Sequence, residues 1–287
     1  MNTYSILDRY HPIVATVYFV SVICVVSLNL HPLTLIISLI GAISSGIIFR
    51  KNDILKYILA GIPFMIFVTI VNVAFNHKGE TILIYLNSNP ITLESIAYGV
   101  ALGTLYLTVI MWFLSVNRVL TSNKILVVTG YFSPEISLVI SMAMRFIPRY
   151  KAKLKEIFIS QSCLGNDIKK ANFIRKIIIS VNCISILITW ALENAIETSD
   201  TMKCRGFGYK KHRTAYHPIR FKYMDIVVLI IIASMDILMF ITSKYATYSY
   251  TTKLSVSFDV KMYIFEGAYL VMCLIPTILT LKDLKRW

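Results

Sequence analysis

Few residues in this chain are of types that do chemistry, and fewer are spaced to do it together. Glu193 and Glu197 lie four apart, on one face of a helix, with Asp200 close behind. Paired carboxylates can serve acid–base catalysis or hold a divalent ion, but no histidine stands at ligand spacing with these. Polar outer positions on a helix are the simpler account. Asp236 and Glu266 stand inside long apolar runs, where an acid by default marks an ion or proton path. An ion-coupled secondary transporter or channel could be built on them. Glu266 is near the end of its run, within reach of the interface. Asp236 is deeper and has no obvious basic partner, so a packed structural role is favoured.

The remaining candidate is Arg205-Gly206, at the end of a predicted helix in a basic stretch. A guanidinium can make two parallel hydrogen bonds to a carboxylate. Glycine after it permits a left-handed stop and close backbone approach. The pair suits a helix tip that inserts into a partner's groove, and equally an ordinary C-terminal cap. The five cysteines show no CxxC and no metal-ligand spacing, so no disulfide, metal or cofactor is assigned. No Walker A sequence, HExxH or GxSxG is present, so the chain is not expected to be an enzyme of those classes.

These residues are set in an apolar frame. Of 287 residues, 56% are hydrophobic, with mean hydropathy +0.68. The N-terminus lacks a basic region followed by a small-residue cleavage site, so the first apolar run is expected to stay. Apolar runs at Ile13–Leu30, Leu33–Phe49, Ile54–Phe75, Ser95–Val116, Ile226–Thr242 and Met262–Leu281 approach the roughly 20 residues that cross a bilayer. The expected fold is all-α: a polytopic membrane protein of six spans with long cytoplasmic coupling helices. Net charge is +14, and residues 117–222 carry 18 of the 29 Lys/Arg but 6 of the 15 Asp/Glu. Base-stacking aromatics and a reader motif are missing there, so nucleic acid is not an expected partner. The positive-inside rule instead puts 117–222 and both termini in the cytoplasm. The expected organisation is 1–116 as N-terminal spans, 117–222 as the coupling region and 223–287 as C-terminal spans.

Within 117–222, Ser133-Pro134-Glu135 reads as a helix start. Pro148 is expected to break or kink that helix. A following arm, Pro148 to Gly165, repeats Tyr150, Leu154, Ile157, Gln161 and Leu164 at helical spacing, with Phe158 alongside. This apolar stripe on a basic helix suggests docking. Lys151, Lys153 and Lys155 would sit near the positive end of the helix dipole, a mild cost that lipid headgroups or an acidic partner would offset. Ile177–Leu192 is ambiguous by length. If it crossed the bilayer, the basic groups Lys169–Lys176 and Lys203–Lys222 would lie on opposite sides, so it is read as interfacial or packed against the spans. A second arm runs from about Trp190 to Gly206.

Several stretches carry a resemblance. They are Asn72 through Gly79, Met142 through Pro148, and Met202-Lys203-Cys204-Arg205-Gly206 with Arg213-Thr214. Over nearly its whole length the chain resembles the transmembrane T component of energy-coupling factor (ECF) transporters, the family of the cobalt-transport permeases. That family carries two short Ala-Arg-Gly motifs, one at the end of each coupling helix. The second is matched here by Cys204-Arg205-Gly206. The counterpart of the first is Cys163-Leu164-Gly165, where leucine replaces arginine. The resemblance implies a non-catalytic subunit whose tips engage two cytoplasmic ABC-type ATPases. The apolar coupling face, Tyr150, Leu154, Ile157 and Phe158, would bear on a small substrate-binding membrane component. Vitamin or transition-metal import is the implied task.

Overall fold

The computed structural model describes residues 10–50, 54–76, 79–86, 89–166, 172–209, 221–243, 248 and 260–284. His77, Lys78, Arg213, Thr214, both termini and most of the stretch Ser243–Lys261 lie outside the described residues. The helices are α1 (Pro12–Leu28), α2 (Pro32–Arg50), α3 (Ile54–Phe75), α4 (Leu93–Val119), α5 (Ser122–Phe132), α6 (Pro134–Cys163), α7 (Phe173–Cys204), α8 (Tyr223–Thr242) and α9 (Val260–Leu284). A hairpin of β1 (Ile82–Leu86) and β2 (Asn89–Thr92) lies between α3 and α4. The chain divides into two units: residues 1–125 with 219–287, and residues 126–218.

The first unit holds a helix at each of the six expected spans. Two of them start alike. In α1, His11 Nδ1 accepts a hydrogen bond from the Ile13 N–H (3.3 Å), with Pro12 at the first helical position. Before α2, His31 Nδ1 accepts from the Leu33 N–H (3.3 Å), again with Pro next in sequence. Proline fits a first turn because its missing N–H would have no helical partner. Helix α4 is central, with α1, α2 and α3 packed on it, while α9 packs on α2 and α8.

The core of this unit holds aromatic side chains whose polar atoms are paired. Tyr18, Phe19 and Trp112 meet edge to face. Trp112 Nε1 and the Tyr269 hydroxyl both donate to Ser38 Oγ, at 3.0 and 2.8 Å. The Tyr18 hydroxyl donates to the Met272 carbonyl. Lipid cannot satisfy such groups, so helices that carry them must supply one another. Helices α3 and α4 approach through Gly99 and Gly103, spaced four apart. A Cβ on Gly103 would lie 2.9 Å from the Met65 carbonyl oxygen, and one on Gly99 would lie 3.1 Å from Thr69 Cα. The corner between these helices is tied down as well. Ser95 Oγ donates to the Asn76 carbonyl, and buried Glu94 accepts from Thr81 Oγ1 at 2.7 Å.

The hairpin replaces what reads in sequence as a polar loop over Asn76–Pro90. Length and hydropathy single out five helices able to cross a bilayer: α3, α4, α7, α8 and Val260–Ile278 of α9. Pro12–Leu28 and Pro32–Ile48 are shorter apolar helices. Helix α7 thus meets the size criterion that its central apolar run, taken alone, leaves open.

In the second unit, Ser133 caps α6 by accepting from the Ile136 N–H (3.4 Å), with Pro134 and Glu135 in the first turn. Of the break or kink expected at Pro148, the break does not occur: α6 is one helix of 30 residues with Pro148 inside it. Proline removes one ladder bond, and Ile147, Pro148 and Arg149 are exposed. Phe146 and Tyr150 stack across the same turn (5.6 Å between centroids), which holds it together. Because α6 begins at Pro134, Lys151, Lys153 and Lys155 lie in mid-helix, beyond the reach of the N-terminal dipole. The interfacial helix and the second arm are likewise one continuous helix, α7, of 32 residues.

The α3–α4 seam yields a test. Gly103→Leu should destabilise the purified protein by about 1–3 kcal/mol through overpacking, read as a lowered melting temperature in detergent. Val100→Leu, on an exposed position of the same helix, should leave melting unchanged.

Candidate functional site

The two ends of the α6 and α7 pair are built alike. Leu164 closes α6 with φ −82° and ψ 9°, and Arg205 closes α7 with φ −82° and ψ 7°. Each is followed by a left-handed glycine, Gly165 at φ 86° and Gly206 at φ 81°. The Gly165 N–H donates to the Ser162 carbonyl (3.2 Å) and the Asn166 N–H to that of Gln161 (3.0 Å). The Gly206 N–H donates to Lys203 (2.9 Å) and the Phe207 N–H to Met202 (3.0 Å). These are the two bonds of a Schellman cap, made twice. A Cβ on either glycine would meet no atom within 4 Å. Glycine is therefore there for its dihedral and not for space. The result is a blunt, rigid tip from which one side chain projects. Leu164 is 74% exposed, and Arg205 is exposed too.

Exposed thiols flank both tips, Cys163 and Cys204. Around the α7 tip, Lys203 pairs with Asp200 at 3.5 Å on the surface. Around the α6 tip, Asn166 Nδ2 donates to Gln161 Oε1 (3.1 Å), a polar counterpart of the usual contact across such a cap.

Within the chain, the apolar stripe packs against α7. Ile157 is buried with Ile179 and Cys183, and Leu154, Phe158 and Leu187 pack around them. Tyr150 meets Trp190 edge on at 5.8 Å, and Arg149 and Lys153 sit over the same indole at 5.3 and 5.6 Å. Within this chain, then, Tyr150, Leu154, Ile157 and Phe158 bind α6 to α7. Contacts that advance along α6 retreat along α7, so the helices run in opposite directions and their tips lie at opposite ends of the pair. The apolar side chains left uncovered are others: Ile174, Ile177, Ile178, Val181, Ile188 and Leu192 on α7 are all exposed.

Glu193, Glu197 and Asp200 are exposed on α7. Among the described residues no cluster of three His, Cys, Asp or Glu could hold a metal ion. Glu266 is buried within the helix bundle. It is 5% exposed, Thr34 Oγ1 donates to its Oε1 at 2.6 Å, and His31 Nδ1 lies 3.4 Å from the same oxygen. His31 was missed in sequence because it lies far from Glu266 along the chain. The cluster joins the α1–α2 turn to α9. Asp236 is half-buried on α8, and no hydrogen bond or ion pair joins it to Glu266 among the described residues.

Substituting either cap glycine should loosen its helix end and little else. An L-residue in the left-handed region costs about 1–2 kcal/mol. Gly165→Ala should speed amide hydrogen exchange in the last turn of α6, and Gly206→Ala in the last turn of α7. Each should be about tenfold, with the α6–α7 contact region unaffected.

Against known proteins, the cobalt transport protein (CbiQ) family matches residues 6–216. The chain is 27% identical over 107 residues to the energy-coupling factor transporter transmembrane protein EcfT of Staphylococcus aureus, covering 37% of this chain and 40% of that one. It is 25% identical over 194 residues to the EcfT of Listeria innocua, 63% of this chain and 72% of that one. To the EcfT of Lactococcus lactis it is 24% identical over 215 residues, 70% and 80% of the two chains. The match thus spans less than half the length of the S. aureus relative. With residues 6–216, most of its length, matched to one family, the chain belongs to the cobalt transport protein family.

Proposed function

We propose that this chain is the energy-coupling transmembrane subunit of an ATP-driven ECF-type uptake transporter. It binds two cytoplasmic ABC-type ATPases through the tips of α6 and α7, and a small substrate-binding membrane subunit through apolar helix surface. ATP is hydrolysed by the partners, and the cargo, a vitamin or a transition-metal ion, is held by the substrate-binding subunit. Residues 117–222 and both termini lie in the cytoplasm of a prokaryotic cell, and the spans cross its plasma membrane.

The observation that carries this reading is the pair of matched caps. Catalysis needs converging groups, and here two exposed tips lie at opposite ends of one stiff helix pair. Such an element can be gripped at two places and moved as a body. The packing of Tyr150, Leu154, Ile157 and Phe158 on α7 supports stiffness. It also means that force on one tip is felt by both helices. The uncovered apolar side chains of α7 are the better candidates for bearing on the substrate-binding subunit. The coupling helices' stripe then contributes by bracing them, with its partly exposed edges alone available outside.

Arg205 is assigned a carboxylate on one ATPase, Gly206 the close approach that lets the guanidinium reach it, and Cys204 the last helical position behind it. Leu164 and Gly165 form the other contact. Arg205→Glu should abolish ATP-dependent uptake and cut ATPase retention, since breaking a desolvated pair costs about 3–5 kcal/mol. Reconstituted complex in liposomes provides both measurements. Retention at the wild-type level in this variant would refute the assigned contact. Solute flux from the chain alone, lost on Asp236→Asn or Glu266→Gln, would favour the secondary-transporter reading instead.

A further inference from the structure

The backbone of the two tips is the same and their chemistry is opposite. The closing residues agree within 2° in φ and ψ, and the glycines within 5° in φ. Leu164 and Arg205 thus leave their helices in matching directions. What differs is charge, and the difference extends beyond one position. From Ile157 to Asn166 the chain has no charged side chain, in a region otherwise rich in lysine and arginine. The corresponding ten residues at the end of α7, Thr198 to Phe207, carry Asp200, Lys203 and Arg205.

Resting on the ATPase-docking reading above, we propose that the α6 tip seats in an apolar, uncharged socket and the α7 tip in an acidic one. The two nucleotide-driven subunits are therefore held by chemically different contacts, in one fixed assignment.

The argument is one of mutual exclusion. A socket carboxylate that pairs with a guanidinium would be desolvated and unpaired against leucine, and a buried charge without a partner is among the costliest arrangements. Conversely, an apolar socket has nothing to offer the hydrogen-bonding groups of an arginine. Each tip thus rejects the other's socket, and a difference of this kind gives specificity as well as affinity. Shape cannot make that distinction here, because the caps superimpose in their dihedrals. Just beyond the glycines the polarity is reversed, with exposed Phe207 after Gly206 and Asn166 after Gly165, so the distinction rests on Leu164 and Arg205 themselves.

The native thiols beside the tips provide the readout. Cys163 and Cys204 are free and exposed, each next to its tip residue. The full complex, in nanodiscs with both ATPases, is treated with a maleimide, and labelling at each thiol is followed by peptide mass spectrometry. Both should be protected relative to the chain alone. Raising salt from about 0.05 M to about 0.5 M, where the screening length falls to a few ångströms, should expose Cys204 and leave Cys163 protected. Leu164→Met should keep Cys163 protected. Leu164→Arg and Leu164→Glu should each weaken that contact at least about tenfold, with Cys204 protection retained as evidence of folding. The proposal is overturned if Leu164→Arg protects Cys163 as well as leucine does, or if salt releases both sites together. Wild-type thiols that no ATPase protects would instead refute the docking reading, and this proposal with it.

Discussion

Two backbone hydrogen bonds at each of two helix ends fix the shape of the α6 and α7 tips. In each cap a glycine turns left-handed, two N–H groups fold back to carbonyls of the last turn, and the residue before the glycine is thrust outward. Without that turn the chain would fray into solvent and the side chain at the end would have no fixed direction. With it, Leu164 and Arg205 project in defined directions from a helix pair packed through Ile157, Ile179 and Cys183. The caps make a tip, and the helix contact makes the two tips parts of one object.

The membrane unit solves a separate problem. Its helices are apolar on most faces, so general hydrophobicity cannot choose neighbours within lipid. Choice comes from small residues and hydrogen bonds. Gly99 and Gly103 let α4 lie against the backbone of α3 at Met65 and Thr69. Ser38 gathers the indole of Trp112 and the hydroxyl of Tyr269, joining α2, α4 and α9 at one oxygen. Thr34 Oγ1 donates to Glu266, joining α2 to α9 beside His31. An intramembrane acid that looks like a transport residue in isolation is here a fastening between helices, with one oxygen still unsatisfied among the described residues.

Apolar runs were readily legible in the sequence, because a bilayer demands length and hydropathy and little else. The start at Ser133-Pro134-Glu135 and the left-handed stop at Gly206 were legible too, since each depends on a few adjacent residues. What escaped depended on distance or on competition. His31 and Glu266 are brought together only by folding. Pro148 has a local rule against it, yet the stack of Phe146 on Tyr150 and an exposed turn outweigh one lost hydrogen bond. The stripe at Tyr150, Leu154, Ile157 and Phe158 was visible as a face. Its occupant was not, because periodicity shows that a face is covered without showing by what. The hairpin at Ile82–Thr92 lay in a stretch judged by its polar ends, and the run Ile82-Leu83-Ile84-Tyr85-Leu86 inside it carried the strand signal. The equivalence of the caps could be guessed from the glycines but needed the dihedrals to become a matched pair.

The central claim is that this chain is a non-catalytic link held by two driven subunits. Its most direct test is native mass spectrometry of the complex extracted from membranes with the chain tagged. The account predicts one copy of this chain with two nucleotide-binding subunits and one small membrane protein, the nucleotide-binding subunits dissociating first. A chain that emerges alone or only as its own oligomer, and that moves solute in that form, would contradict it.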